Sequence, residues 1–187
     1  MTKQIALHGM YGEGKFSLVD DDDFERLNAY RWLGTKKGYG CRMTGWGDSR
    51  VYALLHREVM RAQLELAPKG TQVDHINTNK LDNRRSNLRL ATPSQNQHNS
   101  NAAWGSSSFT GVSWNKEKRN WESSIGVDNI RYKLGYFKSE VEAAYAYNQA
   151  AIKLHGEFAR INDLTGLLPD GFKLAEKKRP GRPQKPA

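Results

Sequence analysis

The residues best suited to chemistry lie close together: Val73-Asp74-His75-Ile76-Asn77, then Asn83, Asn87 and Asn96. An acid, a histidine and several amides between turn residues fit a metal site that hydrolyses phosphodiesters. That reaction needs a base for water, a cation for the charge growing on phosphate and leaving oxygen, and groups that hold both in place. His75 can be the base, because imidazole titrates near neutrality. Asp74 can hold a hard divalent cation. Neighbours on a strand point to opposite faces, so Asp74 and His75 can flank a phosphate from two sides. Asn96 can bring a second oxygen ligand from a helix. The amide of Asn87 can bridge backbone groups and fix the loop that carries His75. His98 lies about 200° round the helix from Asn96 and should not share its face. By spacing alone, a histidine beside an aspartate is more often structural than catalytic.

These residues need a strand, a loop, a short strand and a helix to place them. Residues 54–66 are apolar at helical spacing (Leu55, Val59, Leu64, Leu66), and Pro68-Lys69-Gly70 ends that helix. Thr92-Pro93-Ser94-Gln95 is a helix start: Thr92 caps, Pro93 suits the first helical position and Gln95 completes a capping box. Before them, residues 15–19, 39–43 and 51–54 read as strands of a small antiparallel sheet. Asp20 to Leu27 reads as a short helix with its acids at the positive end, a cap rather than a metal cluster. Residues 103–108 form a small, polar linker. A second unit follows, with strands at 109–114, 120–127 and 130–137, an Asp128-Asn129 hairpin turn, and a helix opened by Ser139-Glu140-Val141-Glu142 that ends at His155-Gly156. Residues 171–187 form a basic, proline-rich tail expected to be disordered. The class is α+β: a small N-terminal sheet with a ββα metal motif, then a three-stranded sheet packed on one helix, then the tail.

Composition narrows the partner. The 187 residues carry 29 Lys+Arg against 20 Asp+Glu, a formal charge of +9. Such an excess favours a polyanion, because each cation that meets a phosphate releases a counterion. No apolar run approaches the roughly 20 residues that span a bilayer, so no membrane partner is expected. The N-terminus lacks an apolar signal core, so a cytoplasmic setting is expected. Cys41 is the single cysteine, which excludes an internal disulfide or a CxxC zinc ribbon. Any metal must be held by oxygen and imidazole.

Leu55-His56-Arg57, Val73-Asp74-His75-Ile76-Asn77, Lys80-Leu81-Asp82-Asn83-Arg84, Ser86-Asn87-Leu88-Arg89 and Ala91 to Asn96 resemble the HNH endonucleases, most closely the phage and intron-borne homing type. The likeness covers roughly residues 50–100, with several short motifs in order. It implies a ββα-metal core at about 71–102 inside a nuclease module of residues 1–102. It implies His75 as general base, Asp74 and Asn96 as ligands of one divalent cation (Mg2+ or Mn2+), and Asn87 orienting the histidine loop. Many members carry histidine where Asn96 stands. Arg84, Arg85 and Arg89 flank the site and are expected to clamp phosphates. His56 is read as a packing or phosphate-contact residue, and His8 and His155 as structural.

Phe109 to Trp114, Asn120 to Ile125, Leu134-Gly135-Tyr136-Phe137, Glu142 to Ala151 and His155 to Asn162 resemble the APETALA (ethylene-response-factor) DNA-binding domain, over residues 109–163. That likeness implies a sheet lying in the major groove of double-stranded DNA. Ser113, Trp114, Asn115, Lys116, Lys118, Arg119, Trp121, Arg131 and Lys133 are the side chains able to reach it, some of them shared with the core. Plant members carry base-reading arginines near positions 113 and 115. Here Ser113 and Asn115 stand there, so the sheet reads adenine or holds phosphates. The tail resembles an AT-hook through Arg179 and Arg182. Together these readings predict a homing-type endonuclease of bacterial or phage-infected cytoplasm, a monomer with dimerisation as the alternative, nicking one strand per active site. The rival is a non-catalytic transcription factor.

Overall fold

The computed structural model describes residues 1–45, 50–99, 106–128, 130–169 and 171–173. Arg179, Arg182 and most of the basic tail, the start of the linker and Asn129 of the hairpin turn lie outside them. The chain forms two compact units, residues 1–101 with 155–160, and residues 102–154 with 161–187. No helix among the described residues is long and apolar enough to cross a membrane.

The first unit opens with strands β1 (Thr2–His8) and β2 (Phe16–Asp20), helix α1 (Asp21–Asn28), and strands β3 (Trp32–Gly34), β4 (Gly40–Thr44) and β5 (Val51–Leu54). They form one sheet in the order β2-β1-β3-β4-β5. The sequence indicated β2, β4 and β5 but not β1 or β3. The sheet is also not antiparallel throughout, because β1 pairs with β3 in parallel. After the β1–β2 hairpin, α1 carries the chain back across, so β3 runs the same way as β1. Asp21, Asp22 and Asp23 occupy the first turn of α1, where the helix dipole favours them.

The expected helix over 54–66 is two short helices, α2 (Leu55–Val59) and α3 (Arg61–Leu66), broken at Met60. Helix α2 buries Leu55, His56 and Val59, whereas α3 buries no residue fully. Strands β6 (Gln72–His75) and β7 (Leu88–Ala91) pair antiparallel, and helix α4 (Pro93–His98) follows. The reciprocal Thr92–Gln95 capping box is present, with Pro93 in the first turn. Ile5, Leu7, Val19, Leu27 and Trp32 share one apolar core with Leu55, Val59, Val73 and Leu88. The N-terminal sheet and the β6–β7 hairpin therefore fold as one body. Each fully buried aliphatic side chain contributes about 1.5–3 kcal/mol to it.

The second unit holds strands β8 (Val112–Asn115), β9 (Asn120–Val127) and β10 (Ile130–Phe137), in the order β10-β9-β8, and helix α5 (Glu140–His155). Ala143 and Ala144 are fully buried and cluster with Val112, with Phe109, Trp121 and Phe137 packed against them. Small residues let the helix lie close on the sheet. Asn162 closes the unit: its side chain accepts from the Thr110 amide at 2.8 Å and donates to the Thr110 carbonyl at 3.1 Å.

Candidate active site

Strand β6 ends at His75, and its register with β7 sets Asp74 opposite Arg89 and His75 opposite Leu88. The intervening loop folds on its own amides. Asn77 accepts from the Asn79 amide at 2.9 Å, and Asn79 accepts from the Leu81 amide at 3.1 Å. Thr78 is held at φ 63°, a left-handed backbone that costs a non-glycine residue about 1–3 kcal/mol and marks a loop constrained for a task. Asn87 spans this loop, accepting from the Asn77 amide at 3.0 Å and donating to the Asp82 carbonyl at 2.7 Å. A 3-10 turn (Arg85–Asn87) feeds the chain into β7.

The N-terminal sheet buttresses the same loop. Leu18 donates to the Leu81 carbonyl at 2.7 Å, and the Asn83 amide donates to the Leu18 carbonyl at 2.8 Å. The Ser17 hydroxyl lies 3.2 Å from the Leu81 carbonyl, Asn83 Nδ2 lies 2.6 Å from Ser17 Oγ, and Asn83 Oδ1 lies 2.9 Å from His75 Nε2. A carbonyl can only accept, so the direction of this chain is determined. Ser17 donates to Leu81, Asn83 donates to Ser17, and His75 Nε2–H donates to Asn83. The lone pair of the neutral imidazole is thereby placed on Nδ1. Burial pushes the His75 pKa below its ordinary value, against the Asn83 hydrogen bond, which raises it. His75 is therefore neutral at neutral pH.

Tyr39 and His56 pack beside it. The His56 and His75 rings meet edge to face at 5.1 Å, and Tyr39 lies 5.2 Å from His56. Burial, helped by His75 and Arg57, pushes the His56 pKa down to about 3. His56 is thus a neutral wall beside His75.

Asp74 precedes His75 on β6 and lines the same cleft. Its Oδ2 accepts from Arg89 Nε at 2.9 Å and Nη2 at 2.7 Å, and Asn99 Nδ2 reaches Oδ1 at 3.0 Å and Oδ2 at 3.1 Å. Asn99 also donates to the His75 carbonyl at 2.8 Å. Asn96 Nδ2 donates to Gln72 Oε1 at 2.6 Å. Both asparagines thus tie the α4 end of the motif to β6. The sequence reading missed Asn99, although its spacing of three from Asn96 sets the two on one helix face. It also missed Ser17 and Tyr39 as site residues, and it singled out Asn83 without giving it a role. Asn83 and Tyr39 lie inside or near recognised motifs, but no local pattern says that either touches His75. The His98 side chain lies outside what is described.

Asp74, His75, Asn96, Asn99, Tyr39 and Lys80 help line a cleft of about 370 Å³. Among the described residues no three acids, histidines or cysteines cluster as a metal nest. The donors nevertheless fit a hard cation that keeps much of its water. Among the described residues Asp74 Oδ1 accepts a single hydrogen bond, and Asn96, with its nitrogen committed to Gln72, offers Oδ1.

The arginines expected to clamp phosphate are each engaged within the protein. Arg84 pairs with Asp82, Arg85 with Asp23 and Arg89 with Asp74, all at 2.7 Å. A phosphate would have to compete with a carboxylate for each. Within the first unit these pairs join the loop, α1 and the β6–β7 hairpin.

In the second unit, register places Ser113, Asn115, Glu122, Ser124, Arg131 and Lys133 on one face of the sheet. Arg131 Nε donates to Ser124 Oγ at 2.8 Å. Asn115 and Lys133 converge on Glu122, at 3.2 Å and 3.4 Å. Lys116 and Arg119 are exposed in the β8–β9 turn. Trp114 is exposed and stacks edge to face on Trp121 at 5.2 Å, while Trp121 packs against the core.

Residues 54–98 match the family model described as HNH endonuclease. With the cleft, this defines the class: a nuclease, a hydrolase of phosphodiester bonds whose family generally uses a divalent metal. An uncharacterized HNH endonuclease of Acanthamoeba polyphaga mimivirus, L560, is 31% identical over 153 residues, covering 82% of this chain and 78% of its own length. Protein 3.8 of Escherichia phage T7 is 32% identical over 106 residues, 56% of this chain and 87% of its own. No solved structure matches the chain. The chain belongs to the HNH endonuclease family, and its substrate is DNA.

Proposed function

We propose that the chain is a homing-type, site-directed HNH endonuclease that nicks one DNA strand per active site. The observation that carries this reading is the relay from the Leu81 carbonyl through Ser17 and Asn83 to His75, which leaves Nδ1 unprotonated beside a cleft shared with Asp74 and Asn96. His75 Nδ1 takes a proton from the attacking water. Asn83 then faces an imidazolium through Nε2–H and stabilises it. Asn87 positions the loop without touching the reacting atoms. Asp74 and Asn96 would hold one divalent cation, Mg2+ or Mn2+, which when bound neutralises charge building on the phosphate and leaving oxygen. Tyr39 and His56 pack against the imidazole and hold its ring in place.

Residues 109–163 serve as an APETALA-like recognition module. Support comes from the three-stranded sheet, the 16-residue helix behind it and the polar face carrying Ser113, Asn115, Arg131 and Lys133. Lys116 and Arg119 stand in the turn beside that face, Trp114 offers an exposed ring at the edge strand on the opposite face, and Arg179 and Arg182 add minor-groove contacts from the tail. The protein acts as a monomer in the cytoplasm of a bacterial or phage-infected cell, in keeping with a relative from a phage. Separating cutting from reading fits a site-directed enzyme, because phosphate contacts position and base contacts specify. The test is supercoiled DNA with Mg2+, with Mn2+ and with chelator. Metal-dependent open circles that precede any linear product support nicking. Linear product formed directly, at limiting enzyme, contradicts it.

A further inference from the structure

We infer that a groove joined to the active-site cleft, bearing Lys36, Lys37 and Arg57, receives the DNA backbone next to the scissile phosphate; this rests on the nuclease reading above. The groove has a volume of about 500 Å³ and shares Tyr39, Gln72, Val73 and Asn96 with the cleft. No acid lines it. Lys36, Lys37 and Arg57 are exposed, and none forms an ion pair among the described residues. This is the reverse of Arg84, Arg85 and Arg89, whose charges are met inside the protein. A strand leaving the cleft along this groove meets cations that have no ion-pair partner among the described residues.

The groove is also fixed relative to His75. The 35–39 turn is closed by Gly38 donating to the Thr35 carbonyl and Thr35 to the Tyr39 carbonyl, both at 2.9 Å. Lys80, from the catalytic loop, donates to the Lys37 carbonyl at 2.9 Å and sits 4.6 Å over the Tyr39 ring. The turn that carries Lys36 and Lys37 is thereby braced on the loop that follows His75. Arg57 lies on α2, next to His56, which packs on His75. Cations set on such supports can hold a phosphodiester backbone in line with the base, and a backbone of regularly spaced phosphates fits several cations along one groove better than a single small anion does.

The test uses the full chain and a DNA that the wild type nicks. Binding is measured by fluorescence anisotropy without metal from 50 to 200 mM salt, alongside nicking against DNA concentration. In Lys36→Ala/Lys37→Ala/Arg57→Ala, loss of three phosphate contacts lowers the log–log salt slope by about 2.7, so the wild type loses roughly 40-fold more affinity than the variant over that range. The DNA concentration for half-maximal nicking rises, while the rate at saturation is retained. Lys36→Arg/Lys37→Arg/Arg57→Lys restores both. A salt slope and half-saturation equal to wild type overturn the inference. Loss of the saturated rate with an unchanged slope overturns it too. A wild type that cuts no DNA defeats the nuclease reading instead.

Discussion

The polar groups round His75 and those on the sheet of the second unit are organised in opposite ways. His75, Asp74, Asn83 and Asn87 are all under 10% exposed, and each has a named hydrogen-bond partner. Ser113, Asn115, Arg131 and Lys133 lie on an open face, and Lys116 and Arg119 stand in solvent. A buried, fully bonded cluster fixes a tautomer and a loop, which proton transfer requires. On the open face Asn115, Arg131 and Lys133 bond to Glu122 and Ser124, but they do so at the surface, where water competes for each partner. The first unit thus holds its polar groups in fixed geometry, and the second presents them at the surface.

The largest expected effect breaks the second unit. Gly111 has φ 77°, and a Cβ there would meet the Tyr147 ring at 2.0 Å. Gly111→Ala should cost about 3 kcal/mol or more through strain and overpacking. Thermal denaturation should show a lowered Tm and weakened DNA binding; an unchanged Tm refutes the close approach.

Asn83→Ala sharpens the comparison from the other side. It frees the His75 tautomer and should slow nicking roughly 10–100-fold, the range seen for partners that orient a functional histidine. A merely structural Asn83 would lower Tm and leave the pH–rate profile unmoved, whereas a positioning residue shifts that profile.

Next comes Asp23, buried at the start of α1. Burial pushes its pKa up, but hydrogen bonds from Arg85 and Arg26 outweigh this and hold it below the ordinary value. A depressed folded-state pKa stabilises above the unfolded value, and that stability is lost as pH falls through the folded one. Asp23→Asn should cost about 1.5–3 kcal/mol at neutral pH, as for a lost hydrogen bond to a charged group. It should also flatten the acid limb of a stability–pH curve. A mutant limb as steep as wild type argues that other carboxylates govern it.

The smallest effect lies on the open face. Lys116→Ala and Arg131→Ala should each reduce the salt slope of binding by about 0.9 and leave Tm nearly unchanged. A large drop in Tm would place either residue in the fold rather than at DNA.

Much of this molecule could be read locally. The Thr92–Gln95 capping box, the acids of α1 and a helix that stops at His155 before Gly156 follow from short-range chemistry and are present, as are three strands of the second unit, the first at Val112–Asn115 rather than 109–114. Strands β1 and β3 were missed because β1 opens on polar residues and β3 has three residues. The parallel β1–β3 pair depends on a crossover that no single segment declares. At the site, Asp74 and His75 stand out by type and motif, but the acceptor of His75, Asn83, is itself oriented by a hydroxyl from a distant strand. Ser17 is 66 residues from Asn83. The arginines illustrate the same limit: their charge is visible in the sequence, whereas the carboxylates that hold them, such as Asp23 for Arg85, are brought there only by folding.

The proposed reaction stands on His75 Nδ1 as the base of a DNA-nicking site. The most direct measurement compares wild type with His75→Ala for single-turnover nicking and for DNA binding in the same buffer. The account predicts nicking reduced about 10²–10⁴-fold, with binding unchanged. Equal nicking rates for the two proteins would contradict it.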